Sequence, residues 1–128
     1  FGFSNASPEK LYIPTDPEPN SPTAEDQIND PDSLYHEVKK LIAIRRANSA
    51  LLSDGDIEFV SDGADGAPLA YIRSSADEKI LVVVNPADQE AVLEVPGTWN
   101  VCLYTVGGIV KAEHGKLIVA PKSANLLK

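Results

Sequence analysis

At 128 residues, with 43% hydrophobic and 23% charged content, the chain has the composition of a soluble globular protein and the length of one domain. A net charge of −8 excludes a nucleic-acid or anionic-membrane binder, since both need a basic surface. No apolar run approaches the ~20 residues of a membrane span, and the lone Cys102 excludes an internal disulfide.

The chain opens on Phe1 and holds no Met, which reads as an excised or processed piece. Five of its ten prolines (Pro8, Pro14, Pro17, Pro19 and Pro22) precede residue 30, and Pro31 follows. That density opposes helix and central strand and predicts an extended, irregular arm over residues 1–29. Thr15 to Asp26 is acidic and nearly devoid of apolar side chains, with Glu25-Asp26 read as a solvated charge pair.

Pro31 to Ala47 then reads as one amphipathic helix. Asp30 is placed to cap it and Pro31 to fill its first position, where a missing N–H costs nothing. Acidic residues sit at its start and Lys39, Lys40, Arg45 and Arg46 toward its end, matching the helix dipole. Leu34, Val38, Leu41, Ile42 and Arg45 recur on one stripe, flanked by Tyr35 and Ile44. Arg45 stands where Leu would be expected, so it is predicted to be substantially buried, bonded to a carboxylate or to backbone carbonyls.

Asn48 to Gly55 reads as a turn, after which short strand-like runs alternate with turn signals. Asp56–Val60 leads through Asp62-Gly63-Ala64-Asp65-Gly66 into Leu69–Arg73, a hairpin whose connection tolerates positive φ. Lys79–Val84, Glu90–Val95, Trp99–Val106, Ile109–Ala112, Lys116–Ala120 and Asn125–Leu127 follow. Seven or eight such strands predict a mainly β protein, an antiparallel β-sandwich. Ile80–Val84 and Trp99–Val106 are apolar on both faces, which calls for a second cover besides the opposing sheet. The helix is the local candidate for that cover, and a neighbouring domain is the other.

Few residues invite a chemical role. His36 and His114 have no paired ligand spacing, so no metal and no cofactor are expected. Cys102, set between Val101 and Leu103, reads as a buried inert thiol. Gly107-Gly108 reads as a hairpin turn, and Asp30, Asp32, Asp62 and Asp65 as cap and turn formers. Trp99 and Tyr104 are the substrate-binding candidates, as a stacking platform for a sugar ring, with core packing the plainer role.

Several stretches resemble the alpha-amylase family (glycoside hydrolase family 13), in the order that family has them. Asp30-Pro31-Asp32-Ser33-Leu34, Lys40-Leu41-Ile42-Ala43-Ile44-Arg45-Arg46, Ala50-Leu51-Leu52 and Gly55 resemble its last barrel helix and the passage into a C-terminal β-sandwich. Ala70-Tyr71-Ile72-Arg73 and Ile80-Leu81-Val82-Val83-Val84-Asn85 resemble the first strands of that sandwich. Gly2-Phe3-Ser4 and Leu11-Tyr12-Ile13-Pro14 resemble the loop before the last helix in alpha-glucosidase-like members.

The resemblance implies three segments. Residues 1–29 would be a loop from the end of a catalytic barrel, 30–52 the last barrel helix and its turn, and 53–128 the sandwich. It implies a parent that cleaves α-glucosidic bonds of malto-oligosaccharides or starch, with its catalytic Asp and Glu residues in an upstream (β/α)8 barrel. No position here matches those motifs, so the expected role is structural and no catalytic residue is carried over. The alternative is a starch- or glucan-binding module. The expected partners are the barrel, an α-glucan and, through apolar surface left by truncation, a second copy of the chain. A cytoplasmic setting is expected over a secreted one.

Overall fold

The computed structural model describes residues 6–14, 18 and 20–128. The Gly2-Phe3-Ser4 stretch and residues 15–17 and 19 of the acidic arm lie outside the described residues. Where length allowed one domain, the chain divides into two compact units, Phe1–Ala43 and Ile44–Lys128.

The first unit departs from the expected irregular arm. A 3-10 turn covers Pro8–Lys10 and a six-residue helix, α1, covers Ala24–Asn29. No proline lies between Pro22 and Pro31, and Thr23 starts a capping box there. The Asp26 N–H donates to Thr23 Oγ1 at 3.1 Å, and the Thr23 N–H donates back to Asp26 Oδ2 at 3.4 Å. Asp26 is thus a capping group and not half of a solvated pair.

Helix α2 spans Leu34–Ala47, three residues later than expected. Asp30 does not cap it. Asp30 ends α1 instead, and its Oδ1 accepts from the Asp32 N–H at 3.0 Å. Two further bonds lock the junction: Ser33 Oγ donates to the Gln27 carbonyl at 2.6 Å, and the Tyr35 N–H donates to Gln27 Oε1 at 3.1 Å. Ser33, 8% exposed, is where the helical ladder begins, since its carbonyl accepts from the Glu37 N–H. The predicted amphipathic stripe is present but uncovered: Leu34 is 70% exposed, Val38 45% and Ile42 47%.

The second unit opens with the end of α2. Asn48 Nδ2 donates to the Ile44 carbonyl at 2.7 Å, satisfying an acceptor that the helix end leaves orphaned. Arg45 Nε donates to the Leu51 carbonyl at 3.2 Å, so the carbonyl partner exists, but the side chain is exposed, contrary to expectation. A 3-10 turn at Ser49–Leu51 leads into β1 (Asp56–Asp62). Arg73 pins that passage, donating to the carbonyls of Leu52, Gly55 and Asp56 at 2.7, 2.9 and 3.0 Å.

Strands β1, β2 (Leu69–Ser74), β3 (Lys79–Asn85), β8 (Ser123–Leu127) and β5 (Cys102–Val106) form a five-stranded antiparallel sheet in that order. A second sheet has β4 (Ala91–Leu93), β7 (Lys116–Val119) and β6 (Lys111–Glu113) in that order. The turn residues behave as their chemistry dictates. Gly63, Asp65 and Gly66 carry positive φ between β1 and β2, and His114-Gly115 does so in the two-residue β6–β7 turn. Gly107-Gly108 is not a hairpin turn. It carries the chain from one sheet to the other, because β5 pairs with β8 and β6 with β7. Gly107 has φ +76°, and a Cβ there would collide with the Lys122 carbonyl oxygen.

The core between the sheets combines Ala70, Ile72, Leu81, Val83 and Leu127 with Leu93, Val110, Leu117 and Val119. The other face of β3 presents Ile80 and Val82 to Ala50, with Tyr71, Val84, Leu103 and Leu126 around them. This explains the double-faced apolar run at Ile80–Val84: the Ser49–Leu51 turn lies on its second face. Each fully buried Ile, Leu or Val side chain in these clusters contributes about 1.5–3 kcal/mol. The other double-faced run resolves differently. Only Cys102–Val106 is strand, at a sheet edge, and Val101 and Val106 are 53% and 49% exposed. Cys102 is likewise exposed, not buried, where a bulge between Cys102 and Tyr104 interrupts the β5–β8 ladder.

Candidate functional site

The carboxylates are spread over separate structural duties. Asp26 and Asp30 serve α1 and the α1–α2 junction, and Asp62 Oδ1 accepts from the Ala64 N–H at 3.0 Å in the β1–β2 turn. Among the described residues no group of three or more His, Cys, Asp or Glu side chains is placed to hold a metal ion. His36 Nε2 lies 3.0 Å from the Ile28 carbonyl, with its ring edge-on to Tyr35, and so braces the helix junction.

Glu78 is the most heavily engaged acid. It sits between β2 and β3, with its side chain only 8% exposed. Its Oε1 accepts from Lys128 Nζ at 2.5 Å and its Oε2 from the Ala50 N–H at 2.9 Å. The Lys128 bond, then the Ala50 N–H, hold its carboxyl below the ordinary glutamate range. Glu94, paired with Lys116 at 2.9 Å, is also displaced downward. A glycosidic proton donor needs the opposite displacement, toward the neutral acid. The chemistry of Glu78 is that of a clasp, tying the strand connection, the Ser49–Leu51 turn and Lys128 together.

The two substrate-binding candidates fall on different faces of the large sheet. Trp99 lies before β5, outside the strand that the sequence suggested, and its half-buried ring packs against the core between the sheets. Its Nε1–H donates to the Pro96 carbonyl at 3.1 Å. Tyr104 is in register with Leu126, whose side chain belongs to the opposite cluster. The structure therefore brings Trp99 and Tyr104 to no common platform.

Two larger surface hollows lie among the described residues. In the first unit an apolar groove of about 430 Å³ is lined by Ala24, Gln27, Leu34, Tyr35, Val38 and Ile42. In the second, a cleft of about 440 Å³ opens beside Trp99. No sequence signal marked Glu78 or the cleft, because their partners come from residues 28 and 50 positions away, or from three separate strands and a loop. The groove was legible as the stripe of α2. Among the described residues no helix is long and apolar enough to cross a membrane.

Comparison with known proteins agrees with this architecture. Residues 57–106 match the family model described as the C-terminal domain of maltogenic amylase. A probable alpha-glucosidase of Rhizobium meliloti is 35% identical over 95 residues, covering 74% of this chain and 16% of that protein. The isomaltulose synthase of Erwinia rhapontici is similar in structure with a TM-score of 0.68 and 28% identity, covering 83% of this chain and 19% of the other. The trehalulose synthase of Pseudomonas mesoacidophila gives a TM-score of 0.69 and 27% identity over the same shares. The chain thus spans less than a fifth of the length of each of these proteins. With the two antiparallel sheets and the ordered sequence match, these likenesses identify the chain as a member of the alpha-amylase family, glycoside hydrolase family 13, carrying its C-terminal all-β domain.

Proposed function

We propose that this chain supports, and does not itself perform, the cleavage of α-glucosidic bonds in malto-oligosaccharides or starch. In this reading residues 53–128 are the sandwich, residues 30–52 the last helix of an upstream (β/α)8 barrel with its turn, and residues 1–29 the loop that precedes it. The observation that carries the reading is the stripe of α2, where Leu34, Tyr35, Val38 and Ile42 line an apolar groove and stay exposed. A soluble protein rarely leaves such a surface to water, and a packed barrel is the neighbour that the family offers. A second copy of the chain is the competing occupant.

Retaining glycosidases hold an acid and a nucleophile about 5–5.5 Å apart on a rigid frame. The engaged carboxylates here serve caps, turns and ion pairs, which supports a non-catalytic role. The direct test is release of 4-nitrophenol from its α-glucoside and of reducing ends from starch at high protein concentration. The expected result is no turnover above a heat-denatured control. Turnover that is lost on changing one particular Asp or Glu would overturn the assignment.

A further inference from the structure

The cleft beside Trp99 has a composition that the sandwich itself does not require. Its floor is Ile72, 6% exposed. Glu58 stands directly across the β1–β2 ladder from Ile72, so the two side chains share a face. Lys79, the first residue of β3, and Thr98 complete the polar rim, with Trp99 as a wall. Glu58 and Lys79 are exposed, and among the described residues neither takes part in an ion pair. Lys128 also borders the cleft, but its ammonium is already held by Glu78.

The Trp99 ring is fixed in advance. Its N–H is satisfied by the Pro96 carbonyl, and its ring passes beside Gly97, where a Cβ would stand 3.5 Å from Cζ2. Gly97 has φ +99°, so the loop turns in a conformation open to glycine, and no side chain is laid against the indole there. A ligand that stacks on this ring meets little cost of ordering it. The opening exists because β1 stands at the edge of a five-stranded sheet that faces only three strands.

We propose that this cleft binds a pyranose unit of an α-glucoside, stacked on Trp99 with its hydroxyls shared between Glu58 and Lys79. The reasoning is by chemical fit. A wholly apolar ligand would strip water from a carboxylate and an ammonium without replacing it. An anion would face Glu58, and a cation would face Lys79. A sugar ring offers C–H groups to the electron-rich indole face and hydroxyls that both donate to the carboxylate and accept from the ammonium. A volume of about 440 Å³ lies within the range of small-molecule sites. The α-glucoside class follows from the relatives, among them the probable alpha-glucosidase. None of these residues belongs to α2, so the inference stands or falls apart from the docking role proposed above.

Trp99 is the only tryptophan of the chain, so its fluorescence reports on the surroundings of this one ring, and the Glu58 and Lys79 variants tie a response to this cleft. Titration of the full chain with maltotriose should give a saturable change. Glu58→Gln and Lys79→Ala should each weaken the apparent affinity about tenfold or more, as expected for one lost hydrogen bond to a charged group. Lys111→Ala, on β6 and outside the cleft, should leave it unchanged, and thermal melts should show all three variants folded. A flat response to maltotriose would overturn the proposal. So would equal affinity in the folded Glu58 and Lys79 variants, or a saturable response to inorganic phosphate with none to the sugar.

Discussion

The Ile44–Lys128 unit encloses two clusters of apolar side chains, while leaving others such as Ile57, Phe59 and Val92 exposed, whereas the helices of the first unit bury none of theirs. Strand β3 has Ile80, Leu81 and Val83 fully buried and Val82 7% exposed. Helix α2 is as clearly patterned in sequence, yet Leu34, Val38 and Ile42 meet solvent. Periodicity records the face that a helix is built to cover, not the presence of the partner that covers it. The buried clusters of the β-region find their packing partners within its own sequence. On the reading proposed above, the stripe of α2 is one half of an interface.

That contrast is quantitative and can be broken. Leu81→Ala removes a fully buried side chain from the core between the sheets and should cost about 2–5 kcal/mol in a denaturant melt. A cost near zero there would mean that the sheets do not enclose a packed core.

Next in size is Glu78→Ala, which leaves the N–H of the fully buried Ala50 without its acceptor and should cost about 1–3 kcal/mol. The same clasp sets a pH dependence. The folded carboxyl is held below its ordinary value of 4.5, so its contribution is complete above that value and is lost as the pH falls through the folded one. Stability measured downward from neutral pH should therefore decline in the acid range. In Glu78→Gln that part of the decline should be missing. An identical acid profile in both proteins would remove Glu78 from the account.

The smallest effect is expected in the first unit. Val38→Ala, on the exposed stripe, should change the stability of this chain by no more than about 0.5 kcal/mol. A loss comparable to that of Leu81→Ala would erase the distinction between the two regions.

The sequence made some of this legible and concealed the rest for identifiable reasons. The β1–β2 hairpin was readable because alternation and turn chemistry are local. Helix α2 was readable, but its start was not, since Asp30 suits a cap in sequence and an Asx turn in place. The proline-rich context concealed the Thr23–Asp26 capping box. Which face of Ile80–Val84 meets the opposing sheet could not be read, because both faces are apolar and a 3-10 turn covers the second. Cys102 and Arg45 were expected to be buried from their apolar neighbours, yet an edge strand and an uncovered helix expose them. The Glu78 clasp and the Trp99 cleft depend on contacts across tens of residues, to which local pattern is blind.

The central claim, that the stripe of α2 is a docking face for a catalytic barrel, is best tested by the reactivity of a thiol placed on it. With Cys102→Ser removing the native thiol, Val38→Cys introduces one probe on the stripe. Its alkylation rate is then compared in this chain alone and in the chain joined to the barrel proposed to precede it. The account predicts rapid labelling in the chain alone, at dilutions where copies cannot associate, and strong protection in the joined protein. Equal rates in the two would contradict it.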